Sequence, residues 1–153
     1  MRAGDRFERR PDGSRMTVFN AHFDYLNPWV QSRSAELLRA RADRAWDGSL
    51  QLLIGDFNAT AESGALETLR APGAGSNSPP FQDTWSTAAR REGPDYSMHG
   101  GTGTHGWRGR IDHILFRPPG SVPFAATLTE HQGDTYPSDH YPVLADIPVR
   151  TPE

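Results

Sequence analysis

The chain has 153 residues, a formal net charge of −3 and a pI near 6.0, which predicts one domain with its own core. This charge balance argues against a broad, sequence-independent nucleic-acid surface, which needs a basic face, but it leaves room for a local phosphate site. The absence of cysteine excludes disulfides and thiol chemistry, and without a spanning apolar run or a secretory h-region we expect a soluble protein. Its compartment stays open: it is cytoplasmic, or secreted if the native start is missing.

The first part of the chain predicts strands that alternate with helices. Residues 15–23 ("RMTVFNAHF") alternate in polarity and predict a strand. Asn27 and Pro28 are a suitable N-cap and first residue for a helix that runs to Trp46. After the break at "DGS", residues 50–57 ("LQLLIGDF") predict a buried strand.

The rest of the chain predicts shorter elements, because 15 glycines and 13 prolines favour many turns. These elements are a helix at 63–70, a loop at 71–80, a brief strand or turn at 81–86, a polar stretch at 87–108, and strands at 109–117, 122–130 and 140–149.

Polar side chains gather at the ends of these apolar strands. Each one alone has an ordinary explanation, since Asp and Asn commonly form Asx-turns and most strand-end histidines have no catalytic role. Together they predict a polar site at one rim of a sheet. Asp56 and Asn58 are two residues apart at a strand end and therefore face the same side, where they suit a phosphate, a metal or an attacking water. The other members of the set are His22, Asp24, Asp112, Asp139 and His140.

Six motifs occur in an order typical of one known superfamily. They are "FNAHFD", "IGDFNA", "DTW", "GTGTHGW", "GRIDHILF" and "SDHYPVLADI", and the match that they carry runs from about Met16 to Ile147. In this respect the chain resembles the endonuclease/exonuclease/phosphatase superfamily, the DNase I-like metal-dependent phosphoesterases. The resemblance implies an α/β (α+β) fold, a partial four-layer αββα sandwich of the DNase I-like type, with residues 1–153 as a single domain.

The resemblance also implies roles for individual residues. Asp56 would orient or deprotonate the attacking water, and Asn58 would hold a phosphate oxygen and help to position that water or a metal. His140 would stabilise the phosphorus centre, Asp112 would orient His140 and keep it charged, and His22 would contact the phosphate. The implied metal ligands are Asp56, Asn58 and Asp139, which suit Mg²⁺ or Mn²⁺ because their donors are hard oxygens. The expected substrate-binding residues in the glycine-rich segment are His105, Trp107 and Arg108.

The beginning of the sequence departs from the superfamily pattern. Complete members carry an asparagine strand and a metal-binding glutamate before the first motif, and we do not assign Glu8 to that position. We therefore expect the chain to correspond to the C-terminal half of the fold, with the N-terminal half missing. A truncated gene or a wrongly assigned start is the explanation that we favour. The alternatives are a fragment completed by self-association or by a complementing N-terminal half, and a degenerate protein without catalysis.

The expected function is divalent-metal-dependent hydrolysis of a phosphodiester by in-line water attack. The substrate would be nucleic acid, a phospholipid headgroup or a small phosphate, and the acidic pI mildly favours the last two. The alternative is a catalytically weak or inactive fragment that binds phosphate or a partner chain.

Overall fold

Two β-sheets and three helices make up the part of the chain that the computed structural model describes. That part comprises residues 2–9, as backbone only, and residues 14–73, 77–104 and 109–148. The strands are β1 (Arg2–Arg9), β2 (Arg15–His22), β3 (Leu50–Asp56), β4 (Gln82–Asp83), β5 (Ala88–Glu92), β6 (Asp112–Arg117), β7 (Val122–Thr127) and β8 (Val143–Asp146). The helices are α1 (Pro28–Arg44), α2 (Gly64–Arg70) and α3 (Thr84–Thr87).

The larger sheet brings the polar strand ends to one rim. Its strand order is β1-β2-β3-β6-β4. Strands β2 and β3 are parallel, so both carboxyl ends reach the same rim, whereas β6 runs antiparallel to β3 and begins there. The register of β3 with β6 sets Asp56 directly opposite Asp112.

Helices α1 and α2 pack together and share one core with the larger sheet. The side chain of Asn27 caps α1 by accepting from the N–H groups of Trp29 and Val30. Leu38 of α1 and Leu66 and Leu69 of α2 are buried in this core, which also contains Phe19, Phe23, Leu53, Phe57, Phe81 and Leu115. On the alternate positions of the central strands, Val18, Leu52, Ile54 and Ile114 are only half-buried.

The smaller sheet has the order β5-β7-β8, with β5 parallel and β8 antiparallel to β7. It meets the larger sheet through contacts of β8 with β6 and of α3 with β6 and β7. None of the described helices is long and apolar enough to cross a membrane.

The mixed α/β class predicted from the sequence is confirmed, and the differences concern local boundaries. Strand β6 begins at Asp112 instead of residue 109, because Gly109 has a φ of +101° that breaks extended pairing. Strand β5 lies inside the polar stretch at 87–108, for which we predicted no strand. Strand β1 forms a hairpin pair with β2, and Glu8 lies opposite Met16, at the far end from His22.

Candidate active site

A cleft of about 540 Å³ opens at the rim where β2 and β3 end and β6 begins. Its lining residues are Asn20, Ala21, His22, Tyr25, Asp56, Asn58, Met98, Asp112, Asp139 and His140. All the residues for which the motifs implied catalytic or metal-binding roles therefore lie in one cleft. Their individual roles remain predictions.

Asp112 and His140 form the closest side-chain pair in the cleft. The Nδ1 atom of His140 lies 2.7 Å from Oδ2 of Asp112, although the two residues are 28 positions apart in the chain. Burial by itself lowers the pKa of His140, but the hydrogen bond and negative charge of Asp112, with smaller contributions from Asp56 and Asp139, raise it above its ordinary value. The pair therefore favours a positively charged imidazolium that faces the cleft.

Ser97 is bonded to both segments that carry this pair. Its Oγ accepts hydrogen bonds from the backbone N–H groups of Ile111 and Asp112, at 3.0 and 3.1 Å. Its carbonyl oxygen accepts from the N–H of Tyr141 at 2.7 Å, next to His140. Sequence reasoning missed Ser97 because a single serine in a long polar stretch carries no local signal.

Asp56 lines the cleft with His22 beside it. Its Oδ2 atom lies 3.4 Å from Nε2 of His22, and its Oδ1 accepts from the N–H of Asn58 at 2.8 Å. Burial raises the pKa of Asp56, the charge of Asp112 raises it further, and the Asn58 hydrogen bond opposes both. Gly55 is required just before it, because a Cβ there would lie 2.1 Å from the carbonyl oxygen of Ala21.

Asn58 adopts a left-handed conformation, with φ of +47°, which asparagine tolerates better than most residues. Its Nδ2 donates to the carbonyl of Phe23 at 3.0 Å, and its own carbonyl accepts from Nε2 of Gln31 at 2.9 Å. Gln31 also donates to the carbonyl of Asp24 at 2.8 Å. These bonds hold the turn after β3 against the turn after β2.

The donors in the cleft fit a hard divalent cation. Among the described residues, Asp56, Asp112 and His140 each offer an atom, and these atoms lie within 4.8 Å of one another. Asp139 lines the same cleft but is not part of that close group. Because Nδ1 of His140 bonds to Asp112, the oxygen donors of Asp56, Asn58 and Asp139 remain the set that we expect to hold Mg²⁺ or Mn²⁺.

The three predicted substrate-binding residues, His105, Trp107 and Arg108, fall outside the described residues. Arg110 pairs with Asp83 in a buried salt bridge of 2.8 Å, so it supports the fold. Four lining residues received no role from the sequence: Asn20, Ala21, Tyr25 and Met98. The signal that could have identified Asn20 is its position two residues before His22, which places both on one face of the strand.

The chain is similar to one protein family and to several solved structures. A family model described as "Endonuclease/Exonuclease/phosphatase family" matches residues 2–140. The solved endonuclease/exonuclease/phosphatase from Bacteroides vulgatus is 28% identical with a TM-score of 0.76, covering 90% of this chain and 51% of that chain. A mannosyl-6-phosphatase from Bacteroides thetaiotaomicron is 22% identical with a TM-score of 0.70, covering 88% and 51%. TDP2 from D. rerio, complexed with single strand DNA product, is 17% identical with a TM-score of 0.67, covering 87% and 56%.

The search of curated proteins found no match. The chain spans about half the length of the solved proteins that it resembles. The comparisons give no support to the self-association that the sequence left open.

Proposed function

Because the chain belongs to the endonuclease/exonuclease/phosphatase family, as its motifs suggested, we propose that it is a divalent-metal-dependent phosphoesterase. Its reaction is the in-line attack of water on a phosphodiester. The oxygen of water bonds to phosphorus as the bond to one ester oxygen breaks, which leaves a phosphomonoester and an alcohol.

The observation that carries this proposal is the 2.7 Å pair of His140 and Asp112 in the same cleft as Asp56. Phosphoester hydrolysis requires positive charge beside the nonbridging oxygens and a base for the attacking water. His140, kept charged by Asp112, donates from Nε2 to a nonbridging oxygen. A protein that only bound a neutral ligand would have no need of an imidazolium held in this way.

Asp56 acts as the base in this proposal. The N–H of Asn58 fixes its Oδ1, which leaves Oδ2 to accept the proton of the water. His22, 3.4 Å from that Oδ2, contacts a second phosphate oxygen. Asn58 holds a phosphate oxygen and helps to orient the water.

Asp56, Asn58 and Asp139 would hold the Mg²⁺ or Mn²⁺ ion. When bound, the ion would supply positive charge beside the phosphate oxygens. The carboxylates of Asp56 and Asp112 face each other across the paired strands, and a cation beside them would offset their mutual repulsion.

The test is hydrolysis of bis-p-nitrophenyl phosphate with Mg²⁺, with Mn²⁺ and with EDTA. We expect metal-dependent release of p-nitrophenol that falls to a small but measurable residual rate in His140→Ala and in Asp56→Ala. His131→Ala is the matched control, because His131 is exposed and does not line the cleft. Release at an undiminished rate in EDTA, or in both cleft variants, would contradict the proposal. Plasmid nicking, oligonucleotide trimming and sphingomyelin cleavage then compare substrate classes.

A second candidate is a weak or inactive fragment that binds phosphate or a partner chain. The observation that favours it is the length of the chain, about half that of the similar solved proteins. Folded protein that binds inorganic phosphate but releases no p-nitrophenol with either metal would support this candidate.

A further inference from the structure

Three large apolar side chains are exposed within five residues, and one of them, Tyr25, lines the cleft. Tyr25 is 63% exposed, Leu26 is 72% exposed and Trp29 is 70% exposed. A single exposed apolar residue is ordinary, but a group of this kind marks an interaction surface. We call these three residues the apolar ridge.

The ridge is held rigidly, so its exposure is not the result of a loose loop. Oδ1 of Asp24 accepts from the N–H groups of Leu26 and Asn27, at 2.9 and 2.8 Å. Oδ1 of Asn27 then accepts from the N–H of Trp29 at 3.0 Å. Two consecutive capping turns therefore fix the backbone from which the three side chains project.

The ridge is also continuous with the candidate active site. Tyr25 lines the cleft beside His22 and Asn58. Gln31 bonds the carbonyl of Asp24 and that of Asn58 together, at 2.8 and 2.9 Å. A surface that seats against the ridge is therefore brought to a fixed position relative to the cleft.

The chemistry of the ridge favours a lipid surface over a nucleic acid. Tyrosine, tryptophan and leucine are the side chains that bury at the boundary between headgroups and acyl chains. The most exposed of the three, Leu26, has no aromatic face on which a base could stack. From residue 23 to residue 31 the chain contains no lysine or arginine and one acidic residue, Asp24. The next basic side chain along α1, Arg33, is paired with Glu36, so this segment offers little countercharge to phosphate backbones or anionic lipids.

We propose that the apolar ridge docks on the surface of a zwitterionic phospholipid bilayer and so presents the cleft to phosphodiester headgroups. The substrate class is then a phospholipid headgroup. This choice of substrate rests on the phosphoesterase function proposed above, whereas the docking itself does not.

Cosedimentation with phosphatidylcholine vesicles tests the docking, using the full chain and a Leu26→Ser/Trp29→Ala double variant. We expect the unmodified chain to bind and the double variant to partition at least about tenfold less, since two exposed apolar side chains lose their burial. Leu37→Ser is the matched control: Leu37 is 65% exposed but lies two turns further along α1, and its variant should bind like the unmodified chain. Thermal melts establish that all variants are folded.

Three results would overturn the inference. The first is no binding of the unmodified chain to phosphatidylcholine vesicles. The second is binding that requires phosphatidylserine and is unchanged in the double variant. The third is that the double variant still binds vesicles but no longer binds oligothymidine or no longer self-associates. Hydrolysis of soluble bis-p-nitrophenyl phosphate by the unmodified chain is measured in parallel, so that a failure of catalysis is distinguished from a failure of docking.

Discussion

Replacing Asp112 by asparagine tests the proposed role of the Asp112–His140 pair. The substitution keeps the shape of the side chain but removes the negative charge 2.7 Å from Nδ1 of His140. A charge-assisted hydrogen bond in a half-buried site contributes about 1.5–3 kcal/mol. If that contribution is made in the transition state, kcat/KM falls by about 10- to 150-fold. The assay is metal-dependent hydrolysis of bis-p-nitrophenyl phosphate at saturating Mg²⁺ or Mn²⁺.

A double-mutant cycle with His140→Ala separates this role from a general structural effect. Asp112 bonds directly to His140, whereas its charge is only a secondary influence on Asp56. Asp112→Asn should therefore change kcat/KM by less than about threefold once His140 is removed. Asp146→Asn, at an exposed position of β8, is the matched control and should leave kcat/KM unchanged. The reasoning is refuted if Asp112→Asn has no effect in the unmodified chain, or if its effect is the same in the His140→Ala background.

Three further predictions concern stability, measured by urea denaturation. Ser97→Ala leaves two backbone N–H groups without their acceptor and should lower the free energy of unfolding by about 1–3 kcal/mol; an unchanged midpoint would count against it. Arg117→Met removes a fully buried guanidinium that pairs with the half-buried Asp43 and should lower the free energy of unfolding by about 1.5–3 kcal/mol, whereas exposed Arg91→Met should not. Burial raises the pKa of Asp43, but hydrogen bonds from Ser78 and two arginines outweigh it and hold the pKa below its ordinary value of 3.8. The stabilisation by Asp43 is therefore present above pH 3.8 and lost as pH falls through the lower, folded-state pKa. In Asp43→Asn the free energy of unfolding should fall less steeply with decreasing pH in this acid range. An equally steep fall in the variant would contradict this reasoning.

Much of the fold could be predicted because its signals are local. The strand pattern of residues 15–23, the Asn27-Pro28 helix start and the Gly55-Asp56 strand end are each decided by neighbouring residues, and the structure has β2, α1 and β3 at these places. Strand β5 could not be predicted, because a polar segment becomes a strand only when β7 offers it a pairing edge.

The residue types of the candidate site were set by the sequence, and their arrangement was decided by the tertiary structure. Strand-end motifs singled out Asp56, Asp112 and His140, since apolar strands that end in polar groups are visible in one dimension. The 2.7 Å bond between Asp112 and His140 depends on two features of the tertiary structure: β6 runs antiparallel to β3, and the segment before β8 lies beside the start of β6. The hydrogen bonds of Ser97 to both segments depend on the same arrangement. Side-chain patterns constrain a chain over a turn or two, whereas contacts between residues 28 positions apart are selected by the packing of the whole sheet.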